Sequence, residues 1–172
     1  MHTSATLDVI ESLLNAAAHP DVTAVERYGN DSTPGGQSPA GVKITHRSGS
    51  EAMLWAAAVP RNAEPVPTPT EPLPMKWRAA RLLVLTHQLL DAARPDEFTR
   101  WELCRQPGVE SPVAAALRVI CRDGSVAYLR ATAASGPTGE PEHDLYQDYR
   151  VPQGVHEWRH SLSVRRAEPV SV

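Results

Sequence analysis

Two stretches of the chain repeat one another: residues 41–58 read GVKITHRSGSEAMLWAAA, and residues 116–133 read ALRVICRDGSVAYLRATA. They align without a gap at an offset of 75 residues, and seven of the eighteen aligned positions are identical. Two unrelated windows would share roughly one or two residues, so the match indicates an internal duplication. Each stretch alternates apolar and polar residues around a Gly-Ser turn, which predicts a β-hairpin.

The resemblance continues upstream of both hairpins. Residues 13–17 (LLNAA) correspond to residues 89–93 (LLDAA); His19-Pro20 follow the first run after one alanine, and Arg94-Pro95 follow the second run directly. Apolar residues recur at helical spacing before each proline, which predicts two helices with one apolar stripe each. The stripes comprise Leu7, Ile10, Leu13, Leu14 and Ala17 in the first helix, and Leu82, Leu85, Leu89 and Ala93 in the second. Strands are predicted next, over residues 22–28 and 98–104.

These elements predict an α+β fold built from two helix-strand-strand-strand (αβββ) units, residues 7–60 and 82–136. We expect a pseudo-two-fold antiparallel-sheet domain, because one such unit is marginal alone. Either one six-stranded sheet or two units packed through their open faces would satisfy that need. Residues 61–81 form a Pro-rich linker and the start of the second helix, since six prolines fall within residues 60–74. Residues 137–172 are expected to be an acidic connector and a C-terminal strand or arm anchored by Trp158.

The turn type predicts which residues share a face. A two-residue turn pairs Arg47 with Ser50, and Arg122 with Ser125. The helices then cover a face containing Val42, Ile44, Met53, Trp55, Leu117, Val119, Cys121, Val126 and Tyr128. The opposite, open face is half apolar and half basic, and we take it as the candidate binding surface. Its candidate residues are Lys43, Arg47, Leu54, Arg118, Ile120, Arg122 and Leu129.

Residues 156–160, HEWRH, match the zincin pattern H-E-x-x-H. In such a site His156 and His160 would bind zinc and Glu157 would activate water. The segment alternates like a strand, however, and only twelve residues follow for a third ligand. We therefore expect no metal or cofactor, and zinc hydrolysis is the least favoured of three functions.

Composition narrows the remaining functions. The net charge is −3, which gives little bulk attraction to nucleic acid or anionic lipid, and the most apolar stretch is too polar to span a membrane. The first residues lack the basic region of a signal peptide, and lysine is nearly replaced by arginine, so a cytoplasmic bacterial protein is expected. The leading prediction is a non-enzymatic protein-binding or assembly module that uses the open face and edge strands. The alternative is a nucleic-acid-binding regulator that uses Arg47, Arg118 and Arg122.

Overall fold

The computed structural model describes residues 1–111, 113–134 and 139–159. Two helices cover one face of a seven-stranded, fully antiparallel sheet, so the α+β class is confirmed. The elements are α1 (Thr3–Ala16), β1 (Val22–Tyr28), β2 (Gly41–His46), β3 (Glu51–Ala57), β4 (Glu64–Pro65), α2 (Arg78–Ala93), β5 (Phe98–Arg105), β6 (Ala116–Cys121) and β7 (Val126–Ala134). The strand order across the sheet is β1-β2-β3-β7-β6-β5-β4.

Both helices turn the predicted stripes toward the core, although Leu85 and Ala93 of the second stripe are only partly buried. In α1, Leu7, Ile10 and Leu13 are fully buried, and in α2, Leu82 and Leu89 are buried. These side chains pack on the sheet in one continuous core, as expected for amphipathic helices. Each helix is followed by a residue with left-handed backbone and then a proline within two residues, which stops the helix. The left-handed residues are Ala18 and Arg94.

One continuous sheet forms, because β3 pairs with β7 at its centre. The alternative of two units packed through their open faces is therefore excluded. The sheet also has one more strand than predicted: Glu64 and Pro65 pair with Arg105 and Cys104. The segment 60–74 is thus more than a spacer, since it reaches the far edge of the sheet and covers part of β5.

The hairpin turns differ from the prediction by one residue. His46 and Cys121 donate their backbone N–H groups to the carbonyls of Ser50 and Ser125, so three residues form each loop. Gly49 and Gly124 have φ of +85° and +81°, whereas the residues before them have no positive φ. A two-residue type I′ turn needs positive φ at both central positions, so a three-residue loop with a left-handed glycine forms instead.

This change of register reverses the faces of β3 and β7, because side chains alternate along a strand. Leu54 and Leu129 were predicted on the open face, but both are fully buried beneath the helices. Ala52 and Ala127 move to the covered face with them, and Met53, Trp55, Val126 and Tyr128 move to the opposite face, where Tyr128 is buried against Cys104 and Ala116. The faces of β2 and β6 are as predicted, with Val42, Ile44, Leu117, Val119 and Cys121 buried.

The C-terminal part of the described chain is helical where a strand or an irregular arm was predicted. Residues Gln153–Glu157 form a 3₁₀ helix that contacts both α1 and α2. Val155 and Trp158 are buried in the main core, so the aromatic anchor predicted at Trp158 is present on a different backbone.

Neither helix in the described part of the chain is long and apolar enough to cross a membrane.

Candidate functional site

The open face of the sheet has an aromatic centre. Trp55 lies on β3 opposite Arg130 of β7, and the guanidinium carbon lies 5.5 Å from the centroid of the indole ring. The indole N–H donates a hydrogen bond of 3.0 Å to Thr132. Met53 is the next outward residue on β3, and it is only partly buried. No helix covers these side chains, so they form a partly apolar, accessible patch where the two halves of the sheet join.

On the first half of this face lies an acidic triplet of Glu26, Lys43 and Glu51, which come from three neighbouring strands. The Lys43 ammonium lies 3.2 Å from a Glu51 oxygen and 3.4 Å from a Glu26 oxygen. These contacts, chiefly the one with Glu51, raise the pKa of Lys43. With two carboxylates and one ammonium, the acidic triplet has a net charge of −1.

On the second half lies a basic triplet of opposite composition: Arg100, Glu102 and Arg118. Glu102 accepts a hydrogen bond of 3.0 Å from Arg100 and one of 2.6 Å from Arg118. The triplet has a net charge of +1, and Arg130 adds a further positive charge to the same half. The open face is therefore charged in opposite senses on its two halves.

Of the predicted open-face residues, Lys43, Arg118 and Ile120 occupy that face. Arg47 and Arg122 lie instead in the hairpin loops, where their N–H groups donate to backbone carbonyls of the preceding helix-to-strand connections. Leu54 and Leu129 are in the core. The structure thus does not bring Arg47, Arg118 and Arg122 together.

A second candidate site lies on the helical side, around the buried guanidinium of Arg78. This first residue of α2 is 4% exposed and donates to Asp21 at 2.5 Å and to Glu140 at 2.6 and 2.7 Å. Ser48 and Ser50, from the first hairpin turn, donate to the same Glu140 carboxylate. The Arg78 guanidinium therefore links three segments: the connection between α1 and β1, the turn between β2 and β3, and the segment that contains Glu140.

Hydrogen bonding to Arg78 lowers the pKa of Glu140 to about 2. Burial by itself raises the pKa of Asp21, but the contacts with His46 and Arg78 outweigh it and lower the pKa to about 2. Both carboxylates therefore stay ionised at neutral pH, and Arg78 faces two negative charges.

His46 lies at the inner end of this network and is about nine-tenths buried. Its Nδ1 is 3.2 Å from an Asp21 oxygen, yet neither ring nitrogen has a well-aligned hydrogen-bond partner among the described residues. Buried polar nitrogens are normally satisfied, so this imidazole is unusual.

His46, Asp21 and Arg78 line a cavity of about 250 Å³. Its walls are α2, the start of β1, β2, residues 69–73 and residues 144–150. His19 also lines it, with its ring 4.3 Å from that of Tyr149, and burial lowers the pKa of His19. Burial also raises the pKa of Tyr149 to about 12, and the phenol donates to the Ala17 carbonyl at 2.9 Å.

Residues 140–144 of the predicted acidic connector are attached to the domain by ion pairs. Glu142 accepts from Lys76 at 2.6 Å, and Asp144 accepts from Arg81 at 3.1 Å, in addition to the Glu140 contact described above. Three alternate acidic residues thus pair with three basic residues at the start of α2. The close spacing of the acidic residues in 140–144 and of the basic residues in 76–81 is visible in the sequence, but nothing local indicates that the two groups meet.

Only part of the zincin-like segment, which was expected not to bind zinc, lies within the residues that the structure describes. His156 and Glu157 are exposed in and at the end of the 3₁₀ helix, and His160 lies outside the described residues. Within residues 1–111, 113–134 and 139–159, no three histidine, cysteine or carboxylate side chains are grouped to hold a metal ion.

Comparison with known proteins finds no matching family, no similar characterised protein and no solved structure of similar fold.

Proposed function

We propose that the protein is a non-enzymatic assembly module that pairs with a second copy of itself through the open face. The observation that carries the proposal is the opposite charge of the two halves of that face. In an isologous dimer the same surface of both copies forms the interface. The charges on each half of the face must therefore be complementary to the charges on the half that it contacts.

Relative to the Trp55–Arg130 pair, the acidic triplet lies toward the first hairpin turn and the basic triplet toward the second, at opposite ends of the strands. A two-fold axis in the plane of the face, near Trp55 and perpendicular to the line between the triplets, therefore places the acidic triplet of one copy on the basic triplet of the other. The same operation repeats the contact on the other side. An axis along that line would instead place like charges together, which is costly. Charge complementarity therefore favours one dimer geometry, in which the strands of the two sheets cross.

The centre of the proposed interface has the residue types that dominate binding energy. Trp55 and Arg130 are of the kinds most often found at hot spots, and Met53 adapts to irregular surfaces. They lie between the two triplets, so apolar contact would occupy the middle and charge pairs the rim. This arrangement is typical of stable protein interfaces.

We further propose that the two αβββ units, residues 7–60 and 82–136, arose by duplication, with residues 60–74 as the linker between them. Three further correspondences support this. Ala18 and Arg94 share a left-handed backbone 76 positions apart, and the pairing of β1 and of β5 is interrupted after Val22 and after Phe98, also 76 apart. In addition, Thr23 and Thr99 each donate to a carbonyl on the neighbouring strand.

Duplication would also explain the charge pattern. Glu26 and Lys43 of the acidic triplet align with Glu102 and Arg118 of the basic one. The net charges of the two triplets differ in sign for two reasons. Val126 occupies the position that corresponds to Glu51, and Arg100 occupies the position that corresponds to Ala24. A duplicated face that diverged in this way becomes complementary to itself.

The alternative, nucleic-acid binding, is less well supported by the described contacts. It needs Arg47, Arg118 and Arg122 on one surface, free for phosphate. Two of them lie in separate hairpin loops, and Arg118 is paired with Glu102. A gel shift with duplex DNA at low salt tests this alternative directly, and loss of the shift in an Arg118→Ala variant would revive it.

The decisive experiment uses two charge reversals at exposed positions, Glu26→Lys and Arg100→Glu. Their side chains are 60% and 65% exposed, so both variants should fold as the wild type does by circular dichroism. Each variant alone places like charges in both contacts of the dimer and should sediment as a monomer. An equimolar mixture restores opposite charges in both contacts and should sediment as a dimer.

Wild-type protein that is monomeric at about 100 μM in sedimentation equilibrium would contradict the proposal. So would two single variants that dimerise as well as the wild type. Lys76→Glu, an exposed charge reversal on the helical side, is the matched control and should leave the dimer unchanged.

A further inference from the structure

The strand β1 forms one edge of the sheet. It is the first strand in the sheet order, and in the described part of the chain β2 is the only strand that pairs with it. An exposed strand edge presents N–H and C=O groups that have no partner, so it can accept a further strand. The opposite edge of the sheet is formed by β4, which has two residues and pairs with β5.

The backbone groups of β1 that point outward can be identified from the first hairpin. The His46 N–H points toward β3, because it donates across the turn to the start of that strand. Backbone groups alternate in direction along a strand, so those of Lys43 point toward β1 and those of its partner Glu26 point toward β2. The N–H and C=O groups of the neighbouring residues, Val25 and Arg27, therefore point outward. Among the hydrogen bonds between described residues, none involves these outward groups.

The second half of the sheet shows how such an edge accepts a strand. At an offset of 76 residues, Arg27 corresponds to Leu103 of β5. The Leu103 carbonyl accepts a hydrogen bond of 2.8 Å from the N–H of Val66, which directly follows β4. Glu64 of β4 also forms an ion pair with Arg105, so side-chain charge reinforces the backbone contact. The corresponding carbonyl of β1, that of Arg27, has no such partner among the described residues.

Acidic side chains surround the free edge of β1. On the helical side, the Arg27 guanidinium pairs with both Asp8 of α1 and Asp31, and the Asp8 side chain is 57% exposed. On the open side lies the acidic triplet described above. Each side therefore has two carboxylates and one cation, and each has a net charge of −1. A strand that pairs with this edge should be basic, whereas Arg105 at the corresponding edge of β5 pairs with an acidic residue.

We propose that the edge of β1 binds an extended, basic peptide segment of a partner protein by strand addition. The backbone of the segment pairs with the outward groups of Val25 and Arg27. Successive side chains of a strand point to opposite faces, so one of two consecutive basic residues reaches Asp8 and the other reaches Glu26. The backbone contact lies at the edge of the sheet, so it does not depend on the dimer formed by the open face.

The test is isothermal titration calorimetry of the full chain with the synthetic peptide acetyl-Thr-Val-Lys-Arg-Val-Thr-amide. At low ionic strength this basic peptide should bind with Kd of about 100 μM or tighter. A peptide with two glutamates in place of the basic pair should bind at least about tenfold more weakly. The basic peptide with N-methyl groups on both central residues loses an N–H on each of its edges, and it should also bind about tenfold more weakly.

Backbone amide hydrogen exchange, followed by NMR, tests where the peptide binds. With saturating basic peptide, the outward N–H groups of Val25 and Arg27 should exchange at least about tenfold more slowly. The N–H of Glu26 points toward β2 and is the internal control, so its exchange should change less.

Asp8→Asn removes one exposed carboxylate beside the edge and should weaken binding of the basic peptide about threefold. Glu110→Gln is the matched control, because Glu110 is exposed in the loop between β5 and β6, toward the other edge of the sheet, and the affinity should not change. Absence of saturable binding up to about 1 mM basic peptide would overturn the proposal. Equal affinity for the N-methylated peptide, or unchanged exchange at Val25 and Arg27, would overturn it as well.

Discussion

The first hairpin turn, residues 47–49, and the second, residues 122–124, have the same register and the same left-handed glycine, but their surroundings differ. The first meets Arg78 and Glu140 in a buried network. The second meets the N-terminal ammonium of Met1, which pairs with Asp123. Asp123 is 50% exposed, whereas the Arg78 side chain is only 4% exposed.

The comparison shows how burial changes what an ion pair needs. At the second turn, Asp123 is half exposed, so water solvates its carboxylate and a single ion pair is enough for that group. At the first turn, Arg78 is removed from water and has two carboxylates as partners. A buried charge without such partners would strongly destabilise the fold. The first turn is therefore the site where single substitutions have the largest effects.

The largest effect is expected for Arg78→Ala. This change leaves Asp21 and Glu140 buried without their cation, and it should lower the free energy of unfolding by about 3–5 kcal/mol. Urea unfolding monitored by circular dichroism measures the change. Arg81→Ala is the control, because Arg81 pairs with a single carboxylate nearer the surface, and a loss as large as that of Arg78→Ala would contradict this interpretation.

Acid should destabilise the first turn selectively. The folded pKa values of Asp21 and Glu140 are both about 2, below those of the unfolded chain. Stability from these groups is present above the unfolded pKa, and it is lost as pH falls from about 5 to about 2, since the unfolded state binds more protons there. Thermal melts across this range should show a smaller acid-dependent fall for Arg78→Ala than for the wild type.

A smaller and equal effect is expected when the glycine of either turn is replaced. Gly49→Ala and Gly124→Ala each force a Cβ into left-handed backbone, although nothing lies within 4 Å of the added atom at either position. Each should cost about 1–2 kcal/mol, from the backbone alone. Urea unfolding measures both losses. If the free energies of unfolding of the two variants differ by more than about 2 kcal/mol, the turns do not share one conformation.

The smallest effect is expected for Asp123→Asn at the second turn. Asp123 is half exposed, so the loss of its contact with Met1 should change the free energy of unfolding by about 0–1 kcal/mol. The effect should disappear at high salt, where exposed charges are screened. A loss comparable with that of Arg78→Ala would mean that the two turns are equally critical.

Much of the fold was predictable because its signals are local. The stripes containing Leu13 and Leu89 follow the helical period, and the prolines at 20 and 95 mark where the helices stop. The residues of the open face were predicted in part: Lys43, Arg118 and Ile120 are on it. Leu54 and Leu129 are not, because the number of residues in each turn sets the register. One additional turn residue moves every side chain of the following strand to the other face of the sheet.

The cavity was not predictable from the pattern. The Arg78 network beside it joins residues that are far apart in sequence, with Arg78 lying 57 positions from Asp21 and 62 from Glu140. His46 continues the inward alternation of Val42 and Ile44, so its burial could have been inferred. Its partners could not, since charged side chains have no periodicity that indicates which of them meet.

The sequence by itself determined the two helices, most of the strands and the positions of both hairpins, because these follow from apolar periodicity and from proline and glycine. The tertiary structure decided the pairing of β3 with β7, the strand formed by Glu64 and Pro65, and the attachment of residues 140–144 to α2. Those features depend on contacts between distant segments. Such contacts form only where chain folding brings surfaces of matching shape and charge together.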